Sequence, residues 1–329
     1  MADELTIHIY TSEDTLPAGL MEEDFFQSTA FFHALKQTPR HRPYMVTLET
    51  AEGTVASQLL AVVRYRSSLM PPYFYMHCRV MGEGCYLTTD DEERTALFER
   101  MLSALTSKMN RRVLYIEISH LSQKMFGYRQ LRQQHFFPVR WMSIHNSLHN
   151  TDSPEERMSS SIKKRVKKAY ERGVTTCEVK SEDDFNSFTK LLRHHNWLKP
   201  RRFIPNDQFF ALIGRNSQTH FYVTKYRQRV IGGSVVVFSC GQAYLWYAAY
   251  RRKVFSWLHP AEVTIHHTIS DAHHQGCNHI FFMDVGLPYR KNPFREFILR
   301  FGGKPVSTYR WFHCSINWIN RLLSWFYRE

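Results

Sequence analysis

The sequence predicts an α/β fold, a mixed sheet with helices packed on it, built from two similar halves in tandem. Three observations predict it. β-like runs and helical runs follow each other in the same order in both halves. An apolar strand in each half carries an acid near its end, in Leu114-Tyr-Ile-Glu-Ile118 and in Phe281-Phe-Met-Asp-Val285. From Glu117 to Val139, the second member of a Pro-Val pair, is 22 residues; from Asp284 to Val306, in a second such pair, is also 22.

Tyr44-Met-Val-Thr47 opens the first β-run, and Val55 to Val63 reads as its hairpin partner across a Glu52-Gly53 turn. Phe221-Tyr-Val-Thr224 and Val230 to Phe238 repeat that hairpin, and Ala243–Ala249 adds a third strand. Helices are expected over Asp91–Lys108 and Pro260–Gln275, each leading into one of the acid-bearing strands. The expected domains are residues 1–150 and 151–329, with a basic linking helix over 153–173. Ser153-Pro154-Glu155-Glu156 resembles a helix start and Gly173 a stop. The last segment, Ile316 to Phe326, is apolar at 316, 319, 322, 323 and 326. It reads as an amphipathic helix within 315–328 that docks on the protein's own surface, with peripheral membrane contact as the alternative.

Composition excludes several classes. A chain that is 43% hydrophobic and 15% aromatic can bury a large core and is not disordered. Runs such as Leu59–Val63 and Val235–Phe238 are far shorter than the roughly 20 residues a bilayer requires. The opening MADELTIHIY has no basic region, so no signal peptide is expected. Six cysteines form no CxxC pair, which suits a reduced cytoplasmic protein. Charge is distributed unevenly: residues 1–150 have a net charge of −1 and residues 151–329 of +14. Residues 157–172 alone hold seven bases and one acid. On a helix Lys163, Lys164, Lys167 and Lys168 form one cationic face, suited to a polyanion such as a nucleotide, a nucleic acid or an anionic membrane.

The strand ending at Ala249 runs into Tyr250-Arg-Arg-Lys253, a loop, and Pro260 at a helix start. Arg251, Arg252, Lys253 and the Pro260 helix terminus would bind phosphate, through N–H groups, dipole and charge. A solvated basic turn is the alternative. Asp284, where an apolar strand meets a loop, is placed to orient or deprotonate an amine. A loop-ordering carboxylate is the plainer role. Tyr247 and Tyr250 are candidate proton donors to a leaving group, one of them being expected in the core. His266, His267, His273 and His274 have no i, i+4 pair, so no metal site is expected and a mostly exposed polar face is. There is no GxSxG elbow and no marked nucleophilic cysteine.

Several stretches, in order, carry a family resemblance: Phe25-Phe-Gln-Ser28, Ser161-Ile-Lys-Lys-Arg-Val-Lys-Lys-Ala169 with Gly173, Val230-Ile-Gly-Gly233, Asp271-Ala272 with Gly276-Cys277, Asp284-Val-Gly286, and Phe297 to Gly303 ending in Phe-Gly-Gly. From about residue 25 to 310 the chain resembles FemAB-like members of the GNAT acyltransferase superfamily, which includes the Fem-type peptidoglycan-bridge aminoacyltransferases. That resemblance implies two GNAT-like domains in tandem and transfer of an acyl group from a thioester carrier, or an aminoacyl group from charged tRNA, to an amine. It implies acyl-CoA or aminoacyl-tRNA as co-substrate, with no permanently bound cofactor, and a cell-wall precursor as one possible acceptor. Where family members often carry a Lys before the Phe-Gly-Gly, this chain has Ile298, with Arg295 and Arg300 nearby to meet donor phosphates. The usual phosphate loop Q/R-x-x-G-x-G/A is replaced by Arg-Arg-Lys-Val-Phe-Ser-Trp257, and no long charged arm is inserted. The expected function is an N-acyltransferase, acting in the cytoplasm or at the inner membrane face. An aminoacyl-tRNA-dependent peptidoglycan-precursor ligase is one alternative. A degenerate GNAT pair that binds nucleic acid or membrane is another.

Overall fold

The structure is a computed structural model. It describes residues 5–68, 71–149, 153–196, 204–283 and 285–327. In chain order the elements are β1 (Thr6–Tyr10), α1 (Thr29–Lys36), β2 (His41–Glu49), β3 (Val55–Ser67), β4 (Phe74–Met81), β5 (Cys85–Tyr86), α2 (Asp91–Met109), β6 (Tyr115–Ser119), α3 (Tyr128–Gln133) and β7 (Phe137–Ser147). There follow α4 (Ser160–Glu171), β8 (Thr175–Glu178), α5 (Glu182–Asn196), α6 (Asp207–Ile213), β9 (Thr219–Tyr226), β10 (Arg229–Ser239), β11 (Gln242–Tyr250), α7 (Pro260–His274), β12 (His279–Phe282), α8 (Pro293–Leu299), β13 (Lys304–Cys314) and α9 (Asn317–Phe326). None of these helices is long and apolar enough to cross a membrane.

Two compact units result: residues 1–141 with 307–329, and residues 142–306. Each has the same strand plan. In the first, β1, β2, β3 and β4 pair antiparallel in sequence, β4 pairs parallel with β6 after the crossover helix α2, and β6 pairs antiparallel with β13. In the second, β8, β9, β10 and β11 form the antiparallel run, β11 pairs parallel with β12 after α7, and β12 pairs antiparallel with β7. The expected boundary at residue 150 therefore gives way to an exchange of closing strands. The strand beginning near Pro138-Val139 closes the second unit, and the one beginning near Pro305-Val306 closes the first. For the same reason the C-terminal helix belongs to the first unit rather than the second.

Local chemistry explains the crossover helix of the first unit. Asp90 caps α2 by accepting the Glu93 N–H at 2.8 Å, and three acids fill its first turn. Leu97, Phe98, Met101, Leu102 and Leu105 then recur at helical spacing and are buried against Val46, Val63, Ile116 and Trp311. Fully burying each such side chain contributes about 1.5–3 kcal/mol.

Part of the opposite face of that sheet is polar, beyond the buried Met45, Leu60 and Val62. Register places His41, Arg64, His77 and Tyr115 side by side on neighbouring strands. His77 is stacked on Tyr115, ring centroids 5.1 Å apart. Glu117, the acid matching Asp284 in the repeat, accepts from Arg310 at 3.1 Å and lies 3.7 Å from Arg79. Arg310 also covers the Trp141 ring at 4.0 Å. Glu117 thus holds two guanidinium groups in a mostly buried ion cluster.

In the second unit two adjacent glycines set the helix positions. A Cβ on Gly232 would meet Thr264 Oγ1 of α7 at 2.6 Å. One on Gly233 would meet the Phe188 ring of α5 at 2.5 Å and the Tyr222 carbonyl at 2.7 Å. Successive strand residues face opposite sides, so Gly-Gly lets a helix close on each face of β10.

Three further expectations are corrected. The linking helix starts at Ser160 rather than near Ser153, because Pro154–Arg157 is a short 3-10 turn and the extended Ser159 donates its N–H to the Arg300 carbonyl at 2.9 Å. The histidine face of α7 is not mostly exposed: His266 is buried and bonds Glu155 at 2.6 Å, and His267 and His273 are half-buried. The apolar stripe of α9 docks only in part: Ile319 and Leu323 are half-buried, while Ile316, Leu322 and Phe326 are exposed. Trp318 and Trp325 are exposed too, because Asn320 anchors its own side inward.

Two predictions follow from this packing. Gly233→Ala is expected to destabilise the second unit by about 1–3 kcal/mol in denaturant unfolding, since a backbone carbonyl limits relief. The second concerns acid. Burial, with Arg64 beside both, lowers His41 to about 4 and His77 to about 2, so the fold keeps them neutral. Unfolded, they titrate near 6.5. Below that value the unfolded chain binds more protons, so stability is lost as pH falls from about 6.5 towards 4, by up to about 1.4 kcal/mol per pH unit for each group. Unfolding measured across pH 4–7 should show this slope, and His77→Phe should remove its share.

Candidate functional site

A cleft of about 520 Å³ opens in the second unit at the start of α7. The loop from Arg251 to His259 and the first turn of α7 give it Arg252, Ser256, His259, Pro260 and Glu262. Helix α4 contributes Arg165, and Glu296, Phe297 and Arg300 come from α8 and its C-terminal end. The cleft therefore gathers Arg252, Pro260 and Arg300 of the residues expected to meet donor phosphates.

The three arginines are held in place. Arg252 lies over the Phe297 ring at 4.4 Å. Arg300 donates to Ser161 Oγ at 2.7 Å, tying the end of α8 to the start of α4. Arg165 bonds Glu262 Oε1 at 3.0 Å, joining α4 to the first turn of α7. Pro260 occupies the first helical position, and His259 before it adopts a left-handed backbone (φ 47°) without a side-chain cap bond. The first turn therefore presents backbone N–H groups to the cleft rather than to a capping side chain. Burial lowers the His259 pKa, Glu262 opposes this, and Arg165, Arg172 and Lys168 lower it further. Cations thus dominate the surroundings of the helix terminus, a setting that favours an anion.

The second feature is a parting of strands. β12 pairs with β11 only from Gln242–His279 to Leu245–Phe282, while β11 runs on to Tyr250. In the first unit the corresponding pair, β4 and β6, stays joined to its end at Met81–Ser119. A bulge opposite Val235 and Val236 takes Trp246 out of the ladder. Trp246 then packs on Phe209 and Tyr247 on Phe210, both of α6. Beyond the bulge, the Arg251 N–H donates to Ile231 of β10 at 2.8 Å. Alternation along the strand turns the Tyr250 N–H to the other edge, towards the parting. The Tyr250 carbonyl accepts from His195 Nδ1 at 3.3 Å.

The remaining expected residues divide clearly. Arg251 and Lys253 stand in the loop but do not line the cleft. Arg295 donates to the carbonyls of Leu287 at 2.8 Å and Arg290 at 2.7 Å, which orders that loop. Tyr247 is in the α6 ring cluster, and Tyr250 lies beside His195 and Arg252. Lys163, Lys164, Lys167 and Lys168 are exposed along α4. Asp284 lies outside the described residues. Sequence reasoning missed Arg165, His259, Glu262 and Phe297. The signal for Arg165 was its place inside the lysine quartet, where helical phase turns it towards α7. No group of His, Cys, Asp or Glu among the described residues could hold a metal ion.

Comparison with known proteins agrees with this architecture. Residues 156–291 match the family model described as Acetyltransferase (GNAT) domain. No curated protein matches the chain. Among solved structures, the crystal structure of FemX aligns with a TM-score of 0.65 at 11% identity, covering 92% of this chain and 94% of that one. L-PGS from Bacillus licheniformis aligns at 0.57 and 10% identity, covering 90% and 92%. A tandem GNAT protein from the clavulanic acid biosynthesis pathway aligns at 0.51 and 10%, covering 95% and 99%. At such identities the likeness establishes the fold. The match to the GNAT domain model falls within the second unit. Over the whole chain the likeness to FemX and to the tandem GNAT protein shows two GNAT-like folds in tandem.

The Arg165–Glu262 pair yields a prediction. Glu262→Gln removes a negative charge beside the cleft and releases Arg165. Affinity for inorganic pyrophosphate, measured by calorimetric titration, should rise about fivefold.

Proposed function

We propose that this protein is an N-acyltransferase whose donor phosphates bind the cleft at the start of α7. One observation carries the reading: Arg165, Arg252 and Arg300 converge on an uncapped helix N-terminus next to the parting of β11 from β12. The guanidinium groups and N–H groups suit a phosphate. The parting suits the extended arm of the donor, and brings its carbonyl to the Tyr250 N–H. That N–H would stabilise the oxyanion that forms on attack.

Asp284, which follows β12 in sequence, would take the proton of the acceptor ammonium. The free amine nitrogen then attacks the donor carbonyl carbon; as the C–S bond of a thioester or the C–O bond of an aminoacyl ester breaks, the nitrogen gives up its extra proton to water, and Tyr250 protonates the leaving group and is reprotonated from solvent. Such chemistry needs no covalent enzyme intermediate, consistent with the absence of a nucleophile motif. A reducing cytoplasm would suit the free thiols.

A second reading takes charged tRNA as donor and a cell-wall precursor as acceptor. The exposed Lys163, Lys164, Lys167 and Lys168 favour it, since α4 also sends Arg165 into the cleft. tRNA binding that weakens steeply with salt, with a slope reduced when the four lysines become Gln, would select it over a coenzyme A thioester.

Purified protein with acyl-CoA or charged tRNA and candidate amines tests both readings. Arg252→Gln and Arg300→Gln should each raise the donor KM about 10- to 100-fold, as expected for loss of a charged hydrogen bond. Asp284→Asn should lower kcat about 10²- to 10⁴-fold. Full activity in Asp284→Asn would remove the assigned base.

A further inference from the structure

The C-terminal helix turns a mixed side inward, with Ile319 and Leu323 half-buried beside Asn320, and leaves large apolar residues outside. Asn320 is buried; its Oδ1 accepts the Cys314 N–H at 2.8 Å and its Nδ2 donates to the His135 carbonyl at 3.0 Å. Ser324, one turn on, lies 3.5 Å from Arg132 Nη1. With those groups turned inward, Trp318, Arg321, Leu322 and Trp325 fall at i, i+3, i+4 and i+7, forming one outward stripe. Trp318 is 68% exposed, Leu322 53%, Trp325 63% and the adjacent Phe326 70%. Large apolar side chains gathered this way mark an interaction surface.

Charge identifies the partner. Helix α9 is anchored on α3, on His135 just beyond it, and on β13, and these lie in two stretches without acids. Between Glu117 and Asp152 there is no Asp or Glu, but Lys124, Arg129, Arg132 and Arg140. Between Glu296 and Glu329 there is none, and Arg321 lies on the helix itself. A second copy of the chain would set one Arg321 stripe against another with no carboxylate from these stretches to pair them, which disfavours a symmetric dimer. An anionic bilayer meets both demands. Tryptophan and arginine suit the headgroup level, leucine and phenylalanine the acyl boundary, and anionic lipid the surrounding cations.

We infer that α9 is an interfacial anchor, seating the first unit on an anionic phospholipid surface through Trp318, Leu322, Trp325 and Phe326. Helix α9 belongs to the first unit and the cleft at α7 to the second, so acyl transfer to a soluble amine can hold whether or not the anchor does.

The test uses the full chain and sedimentation with 100 nm vesicles of pure phosphatidylcholine, or of phosphatidylcholine with about one-third phosphatidylglycerol. Binding is expected to the anionic vesicles, weakening as salt rises, with tryptophan emission quenched by brominated acyl chains. Trp318→Asn with Trp325→Asn should lower the partition constant at least about tenfold and abolish most of the quenching. Arg321→Gln should lower it about fivefold. Both variants change exposed positions, so an unchanged melting temperature confirms the fold. Replacing Lys163, Lys164, Lys167 and Lys168 with Gln should leave the quenching intact. No binding to anionic vesicles, equal binding by the double tryptophan variant, or a wild-type dimer that the variant dissociates would each overturn the inference.

Discussion

The close approach of helix α7 to strand β10 governs the second unit. It depends on Gly232 having no side chain, because Thr264 Oγ1 occupies the space a Cβ would take. Thr264 in turn bonds Thr224 of β9 at 2.7 Å and the Pro260 carbonyl at the head of its own helix, also at 2.7 Å. That short polar chain fixes where α7 begins. The start of α7 is also the wall of the cleft, so packing at one glycine sets the position of the N–H groups and of Glu262. Gly233 does the same for α5 on the other face through Phe188.

The two units share a strand plan and differ where chemistry would occur. In the first, β4 and β6 remain paired throughout, and Glu117 between them is neutralised by Arg310 and Arg79. A carboxylate so held supports the fold and has little freedom to move a proton. In the second, the parallel pair separates after Leu245, and the chain beyond β11 brings cations rather than a closed ladder. A duplicated framework has thus become a packed ion cluster in one unit and, in the other, an open parting with an arginine-lined helix terminus.

The strand alternation, the helix spans of α2 and α7 and the repeated order of elements were legible because local periodicity and capping determine them. Asp90 and Pro260 announce helix starts whatever surrounds them. The cationic face of α4 was legible for the same reason. Within the candidate site, Arg252, Pro260 and Arg300 were legible as bases or a helix start close to motif positions. Arg165, Glu262 and Phe297 were not, because they reach the cleft from separate elements and no local rule links them. Arg295 shows the converse: its sequence position suggests a ligand, yet nearby carbonyls at Leu287 and Arg290 take its donors.

By itself, the sequence determined the class of fold, the duplication, the charge asymmetry and the amphipathic character of residues 316–326. Only the tertiary structure decided which strand closes which unit, since β7 and β13 find their partners among distant residues. It alone showed the parting of β11 from β12, a matter of register and of a bulge near Trp246. It also decided which way α9 faces. Periodicity defines two sides of a helix, but the hydrogen bonds of Asn320 to Cys314 and His135 turned the side with Ile319 and Leu323 inward and left Trp318, Leu322 and Trp325 outside.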